Sequence, residues 1–429
     1  MKARVMLAGA ASVALLLPSL AAAQSPSQAG VLSHAGPNGL KVGEGRLHPF
    51  VDVEPRLDTA AGFFPVGNML SSTPSPELVM HLRPGLRFEL PSNTVAIDFV
   101  GAAEYLYFTG LFAPGSYLYS RLEGAAGLSA AVNRQGQIEF DLADDFNYSD
   151  KTRNLALGVG ALSLYNEARA QLSIRPGGGA LEITPRGAFG LEQFRALSRL
   201  RPVGCTPGSL TCDPNAIPQM NYTNLRAGLD GRWKFLPKTA IVLESNFDSR
   251  SYAATGNTPS LLLRGMAGLQ GLLTTKVAVV AKAGWGYDFA PPPASAMGSN
   301  ANTFLAHAEL AYLFNEATNI KVGYYRSLEP VPVYQTVRDD RIYGDGRMLL
   351  SGRLALHAYG ALDFLGFAAG SNRLDTSVTV DPSIEYQILP WLYAAGGYTL
   401  SMRVAGIPNA SSSESYTRHE AYLRVSAAY

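Results

Sequence analysis

The chain has 429 residues, of which 47% are hydrophobic and only 16% charged, and its formal net charge is +1. Soluble domains carry about 25% charged residues, so this surface is not built to face water all round, and a net charge so close to zero does not suggest nucleic acid as a partner. Beyond the N-terminal segment no apolar run reaches about 18 residues, which excludes a membrane-spanning helix.

Residues 1–23 read as a secretory signal peptide: Lys2 and Arg4 lead, an apolar run from Val5 to Leu20 follows, and Ala21 and Ala23 flank a small-residue cleavage site before Gln24. Loss of Lys2 and Arg4 takes the net charge to −1. Residues 24–44 form a short periplasmic leader segment, too short for a plug domain, and residues 45–429 are expected to form one barrel.

From Leu47 onward, alternating segments are separated by turn-rich gaps. The short gaps are PSNT (91–94), NRQG (133–136), RPGGG (175–179), LPKT (236–239), LLTTK (272–276), NEAT (315–318), HAYG (357–360) and LPW (389–391). Longer breaks alternate with them. Short turns on one side and long connections on the other predict an all-β transmembrane antiparallel β-barrel of about 18 strands (16 to 20), with short periplasmic turns and longer extracellular loops, integral to a bacterial outer membrane. The 43 Gly and 21 Tyr suit such close-packed strands with aromatic interfaces.

Each strand presents two faces. In VTVDPSIEYQIL, Val378, Val380, Ile384, Tyr386 and Ile388 share one parity, and Thr379, Asp381, Ser383, Glu385 and Gln387 the other. Period two makes one face of each strand apolar. The other carries charges of both signs and cannot lie in lipid, where a basic side chain at the midplane costs about 2–4 kcal/mol. It is expected to line water. Candidate lumen-lining residues are Asp52, Glu54 and Arg56 on the first strand, then Arg83, Arg87 and Glu89, then Asp98 and Glu104, then Arg121 and Glu123. Further along come Arg226 and Arg232, Lys282 and Arg403. A wall network of cross-strand ion pairs is the competing role for the same residues. Aromatic residues gather near strand ends, as two interfacial girdles do. Pro55, Pro84, Pro185 and Pro382 fall inside strands, where a missing N–H predicts a bulge or a lipid-facing gap in the ladder.

Cys205 and Cys212 close a short loop in an exported chain, the setting of a disulfide. The stretch around them is the best candidate for a loop folded into the lumen. No G-x-S-x-G or H-E-x-x-H motif occurs, and RPGGGA precedes no helical pattern, so neither an enzyme nor a cofactor or metal site is expected. His307 and Glu309 share the inward parity and read as a polar wall pair.

The final strand, HEAYLRVSAAY, alternates down to Tyr429 and is expected to pair with the first strand to close the barrel. Leu423, Val425 and Tyr429 in it resemble the signal read by the outer-membrane barrel-assembly machinery. The first strand GRLHPFVDVEPRLDTAAGFF, the proline-bearing strands and the eighteen-strand layout together resemble the outer-membrane β-barrels encoded with exopolysaccharide secretion systems, related to the type 2 β-barrel porins. That resemblance implies an outer-membrane passage for a polysaccharide cargo, working with a periplasmic polysaccharide-export protein. The alternative is a general or substrate-selective diffusion porin, and a third reading is an adhesin or scaffold barrel.

Overall fold

The computed structural model describes residues 39–61, 75–112, 114, 116–134, 136–150, 161–196, 215, 217–253, 259–289, 302–315, 317–331, 335–367, 373–406 and 415–429. The signal peptide, most of the leader segment, and Cys205 with Cys212 lie outside the described residues.

A three-residue strand β1 (Leu40–Val42) folds back on the start of β2 (Gly45–Ala61). The barrel then proceeds through β3 (Ser75–Leu90), β4 (Val95–Phe108), β5 (Arg121–Val132), β6 (Ile138–Ser149), β7 (Ala161–Ile174), β8 (Leu181–Ala196) and β9 (Tyr222–Leu236). It continues with β10 (Thr239–Tyr252), β11 (Ser260–Leu272), β12 (Val277–Asp288), β13 (Asn302–Asn315), β14 (Thr318–Val331) and β15 (Gln335–Ser351). β16 (Leu354–Phe367), β17 (Leu374–Leu389), β18 (Leu392–Val404) and β19 (Tyr416–Ala428) complete it. Every consecutive pair from β2 onward is antiparallel, and β19 pairs with β2 from Glu420↔Asp58 to Ala428↔Phe50. Strands β2 to β19 thus close an eighteen-strand ring with no free edge.

The outer face is apolar because the period-two pattern puts it there. On β2, Val51, Val53 and Leu57 are exposed while Asp52, Glu54, Arg56 and Asp58 are buried. On β17, Val380, Ile384, Tyr386 and Ile388 are exposed and Asp381 is buried. A closed sheet that is greasy outside and charged inside is an integral outer-membrane β-barrel. Exposed rings form two groups: Trp233, Phe235, Tyr312, Phe314, Trp391 and Tyr429 near the short turns, and Tyr105, Tyr107, Trp285 and Phe304 towards the long connections. Both groups sit where amphipathic rings prefer the headgroup level.

Seven of the eight expected short turns stand between strands. The turn at 175–179 takes positive φ at Gly177, Gly178 and Gly179, which only glycine adopts freely. HAYG is the exception. His357 to Gly360 run through the middle of β16, and the turn falls instead at Gly352 and Arg353. Tyr359 favours the extended chain, and His357 is held in the sheet by Asp345 at 3.1 Å.

The four strand prolines interrupt the ladder without displacing it. Pairing between β3 and β4 lapses between Leu82↔Tyr105 and Gly85↔Ala102 around Pro84, and the register is identical on both sides. The same lapse occurs at Pro55 on the β19 side, at Pro185 on the β7 side and at Pro382 on the β18 side. These are gaps left by a missing N–H, not bulges.

Inside, aromatic rings lie over glycines. A Cβ added at Gly323 would come 2.5 Å from Cζ of Tyr343, one at Gly397 2.5 Å from Cζ of Tyr422, and one at Gly85 2.3 Å from Cζ of Phe50. The Tyr343 hydroxyl donates to Glu309, so this ring cannot swing aside. Gly323→Ala is therefore expected to cost about 1–3 kcal/mol, the usual penalty of overpacking, read as a lower urea midpoint for the barrel in detergent.

Candidate functional site

The inner face of the ring is a continuous ladder of paired charges. At the seam, Arg56 binds Glu54 and lies 3.0 Å from Glu420, while Arg424 lies 3.3 Å from Glu54 and Arg418 2.6 Å from Asp58. Next to it, Arg83 bridges Glu104 at 2.9 Å and Asp52 at 3.7 Å, and His81 meets Glu104 at 2.6 Å. Arg87 joins Glu89 at 2.6 Å and Asp98 at 2.8 Å. Arg121 reaches Glu123 at 2.7 Å, Arg226 meets Glu167, Lys282 lies 2.9 Å from Glu244, and Arg403 shares Asp375 with Arg373 at 2.5 and 2.7 Å. All fourteen charged residues singled out from the sequence carry the inward parity. Among the described residues, all but Arg232 have an opposite charge within ion-pair distance; Arg232 stands across the ladder from Glu182.

Exposure along this face is uneven. Near the short turn at 91–94, Asp98 keeps 42% of its side chain exposed. At the opposite end, Asp375 keeps 0%. Glu77 is likewise buried there, accepting hydrogen bonds from Thr109 and Ser116 at 2.7 Å and so tying the β4–β5 connection to the wall. The inner face is therefore open around Arg87 and Asp98 and closely packed around Glu77 and Asp375.

The β14–β15 hairpin accounts for part of that packing. Its end leans over the inner face of β12 and β13 far enough to meet β11 and β10. Arg264 donates to the Leu328 carbonyl at 3.2 Å and lies 3.3 Å from Glu329, while Arg250 donates to the Pro330 carbonyl at 2.9 Å. Leu262, Leu305 and Leu328 form a buried apolar contact beneath the crossing. Around it, Asn224 Oδ1, Asp248 Oδ1, Ser260 Oγ, Ser327 Oγ and Asp339 Oδ1 are buried with no hydrogen-bond partner in the protein. A buried polar atom left in this state is costly in a purely structural wall.

The inner rings are occupied. Guanidinium groups lie over Tyr422 (Arg56 and Arg424), Phe108 (Arg121), Tyr222 (Arg250, 4.0 Å), Tyr325 (Arg341) and Phe367 (Arg373 and Arg403). His307 stands edge-on to Tyr325, and Glu309 accepts from Tyr343. This pair belongs to a polar wall and makes no acid–base dyad. Among the described residues, no cluster of His, Cys, Asp or Glu is arranged to hold a metal ion.

Sequence reading passed over Arg250, Arg264, Asp339 and Asp375, although the same parity rule reaches them: Arg250 is in step with Asp248 and Glu244 along β10. Among the described residues, no nucleophile, base and orienting group are brought together as a catalytic constellation.

No family model matches the chain, and no curated protein matches it. Among solved structures it is similar to Pseudomonas aeruginosa OccK3 (OpdO), at 11% identity over 89% of this chain and 95% of that one, TM-score 0.45. It is similar also to the Pseudomonas aeruginosa outer membrane protein opdK, at 10% identity over 89% and 98%, TM-score 0.46. The siderophore receptor PirA from Acinetobacter baumannii aligns at 7% identity over 91% and 81%, TM-score 0.44.

Proposed function

We propose that this barrel is a substrate-selective diffusion channel for small solutes that carry charge of both signs or several hydrogen-bonding groups. One observation carries the reading: beneath the inward-leaning β14–β15 hairpin, buried oxygens of Asn224, Asp248, Ser260, Ser327 and Asp339 lack protein partners, with Arg250 and Arg264 beside them. When the β14–β15 tip moves aside, such a set is uncovered and replaces the hydration of a passing solute group by group, and its mixed sign binds weakly enough to release it. The fourteen lumen-lining residues hold the wall open around this constriction through their ion pairs, and Arg87, Glu89 and Asp98 form its wetter vestibule.

Export of a polysaccharide with a periplasmic export protein rests on the sequence resemblance alone. A sugar chain slides on exposed ring faces, and the rings quoted above are covered by guanidinium groups. In the same reading, residues 1–23 are a cleaved export signal and residues 45–429 the barrel. Leu423, Val425 and Tyr429, exposed on the outer edge of β19, are the surface for the assembly machinery.

Swelling of liposomes reconstituted with the barrel tests the proposal. Arginine and other small zwitterions are expected to enter several-fold faster than a neutral disaccharide of similar size. Equal rates, or faster passage of oligosaccharides than of zwitterions, would favour the export reading and remove the selective one.

A further inference from the structure

The lipid-facing parity is free of charge across the middle of the barrel with one exception among the described residues. Arg195, Arg326, Arg338 and Asp340 also point outward, but they stand at the long-connection ends of β8, β14 and β15. Asp144 does not. On β6 it occupies the centre of an outward row running Ile138, Phe140, Leu142, Asp144, Phe146, Tyr148, with Leu128 opposite it on β5 and Ala168 opposite on β7. Leu142 and Leu128 are exposed, so the row faces outward along its length.

Asp144 has a single polar neighbour on that face. The Asn166 amide donates to its two carboxylate oxygens at 3.2 and 3.1 Å and approaches the Asp145 carbonyl at 3.5 Å. No cation pairs with Asp144, and the Asn166 side-chain oxygen receives no hydrogen bond, among the described residues. A carboxylate and an amide thus stand together at hydrocarbon depth with hydrogen-bonding capacity left over, in a setting where acyl chains can satisfy none of it. Small outward residues, Ala126 and Ala130 on β5, Ala168 and Ala170 on β7, and Gly187 on β8, alternate with the larger Leu128, Leu142, Phe146 and Phe189 around them. Small residues let two backbones approach closely enough for side-chain hydrogen bonds within a bilayer.

We infer that the β5–β8 outer face, centred on Asp144 and Asn166, is the surface on which a second copy of this chain docks within the membrane. The occupant has to span the bilayer at this depth and bring both a donor and an acceptor. A second copy does both, since a patch holding an amide beside a carboxylate is complementary to itself about a two-fold axis. In the pair, one Asn166 N–H of each copy turns to the facing carboxylate and the other stays on its own Asp144.

Photo-crosslinking in intact outer membranes tests this, with p-benzoylphenylalanine placed at Ala168 and, as a control on the far wall, at Leu310. An adduct of twice the chain mass is expected from position 168 alone, with peptide mapping finding only this sequence in it. Asp144→Leu with Asn166→Leu is expected to reduce that adduct at least tenfold, while Asp144→Asn, which keeps the hydrogen bonds, retains most of it. Heat-modifiable migration on gels establishes that each variant has assembled its barrel. An adduct with lipopolysaccharide or another polypeptide, no adduct above the Leu310 control, or an adduct indifferent to the double substitution in an assembled barrel overturns the inference.

Discussion

Replacing Arg56 by methionine is expected to destabilise the assembled barrel by about 3 kcal/mol, the lower end of the range for removing one partner of a buried ion pair. Arg56 lies in the wall between Glu54 and Glu420, so the substitution strands two carboxylates in a poorly hydrated place. Each keeps one cation, Arg424 at 3.3 Å and Arg418 at 3.4 Å, which is why the lower end applies. The position matters as much as the charge. Arg56 sits on the closing seam, where ladder pairing between β2 and β19 already lapses beside Pro55, so side-chain contacts carry more of the closure than elsewhere. Urea unfolding in detergent micelles measures the loss, and the double variant Glu54→Gln with Arg56→Met should recover a good part of it. Arg87→Met serves as contrast: its partners are partly exposed, and an exposed pair is worth about 0–1 kcal/mol. A seam variant as stable as the Arg87 variant would mean that the wall ion pairs do not hold the ring closed.

The strand content of this barrel was legible because each strand meets two media, and period two records that directly. β17 could be read residue by residue from VTVDPSIEYQIL, and the count of eighteen followed from the alternation of short and long gaps. HAYG carries turn chemistry only in Gly360, and the β-forming Tyr359 and inward His357 belong to a continuing strand. What sequence could not show was which charges meet. Arg56 and Glu420 are 364 positions apart and become neighbours only through closure. Arg373 and Arg403 converge on Asp375 from two strands whose register no local signal sets. The inward lean of the β14–β15 hairpin was equally hidden. Leu328 shares the outward parity of Ile320 and Val322 yet ends up buried against Leu262 and Leu305, because the strand tip turns over the lumen once it rises past the wall. Parity assigns a face only while the sheet continues beneath it.

Removal of both arginines that pin that tip, Arg250→Ala with Arg264→Ala, is expected to raise single-channel conductance several-fold and to abolish discrimination between zwitterionic and neutral solutes. Arg264 holds the Leu328 carbonyl at 3.2 Å and Arg250 the Pro330 carbonyl at 2.9 Å, and both cations are buried, so each contact is a charge-assisted hydrogen bond shielded from water. Arg250 is itself braced, its guanidinium lying 4.0 Å above the Tyr222 ring. Without these donors two backbone carbonyls at the tip lose their partners, and exposure to water becomes their better alternative. The hairpin then swings towards the wall line of its own strands and the constriction widens. The Leu262, Leu305 and Leu328 contact opposes that movement, so the double variant should flicker between two conductance levels, and adding Leu262→Ala should leave only the larger one. Planar-bilayer recording separates these states directly. Wild-type conductance and selectivity in a folded double variant would show that the apolar contact alone positions the hairpin, and that neither arginine governs passage.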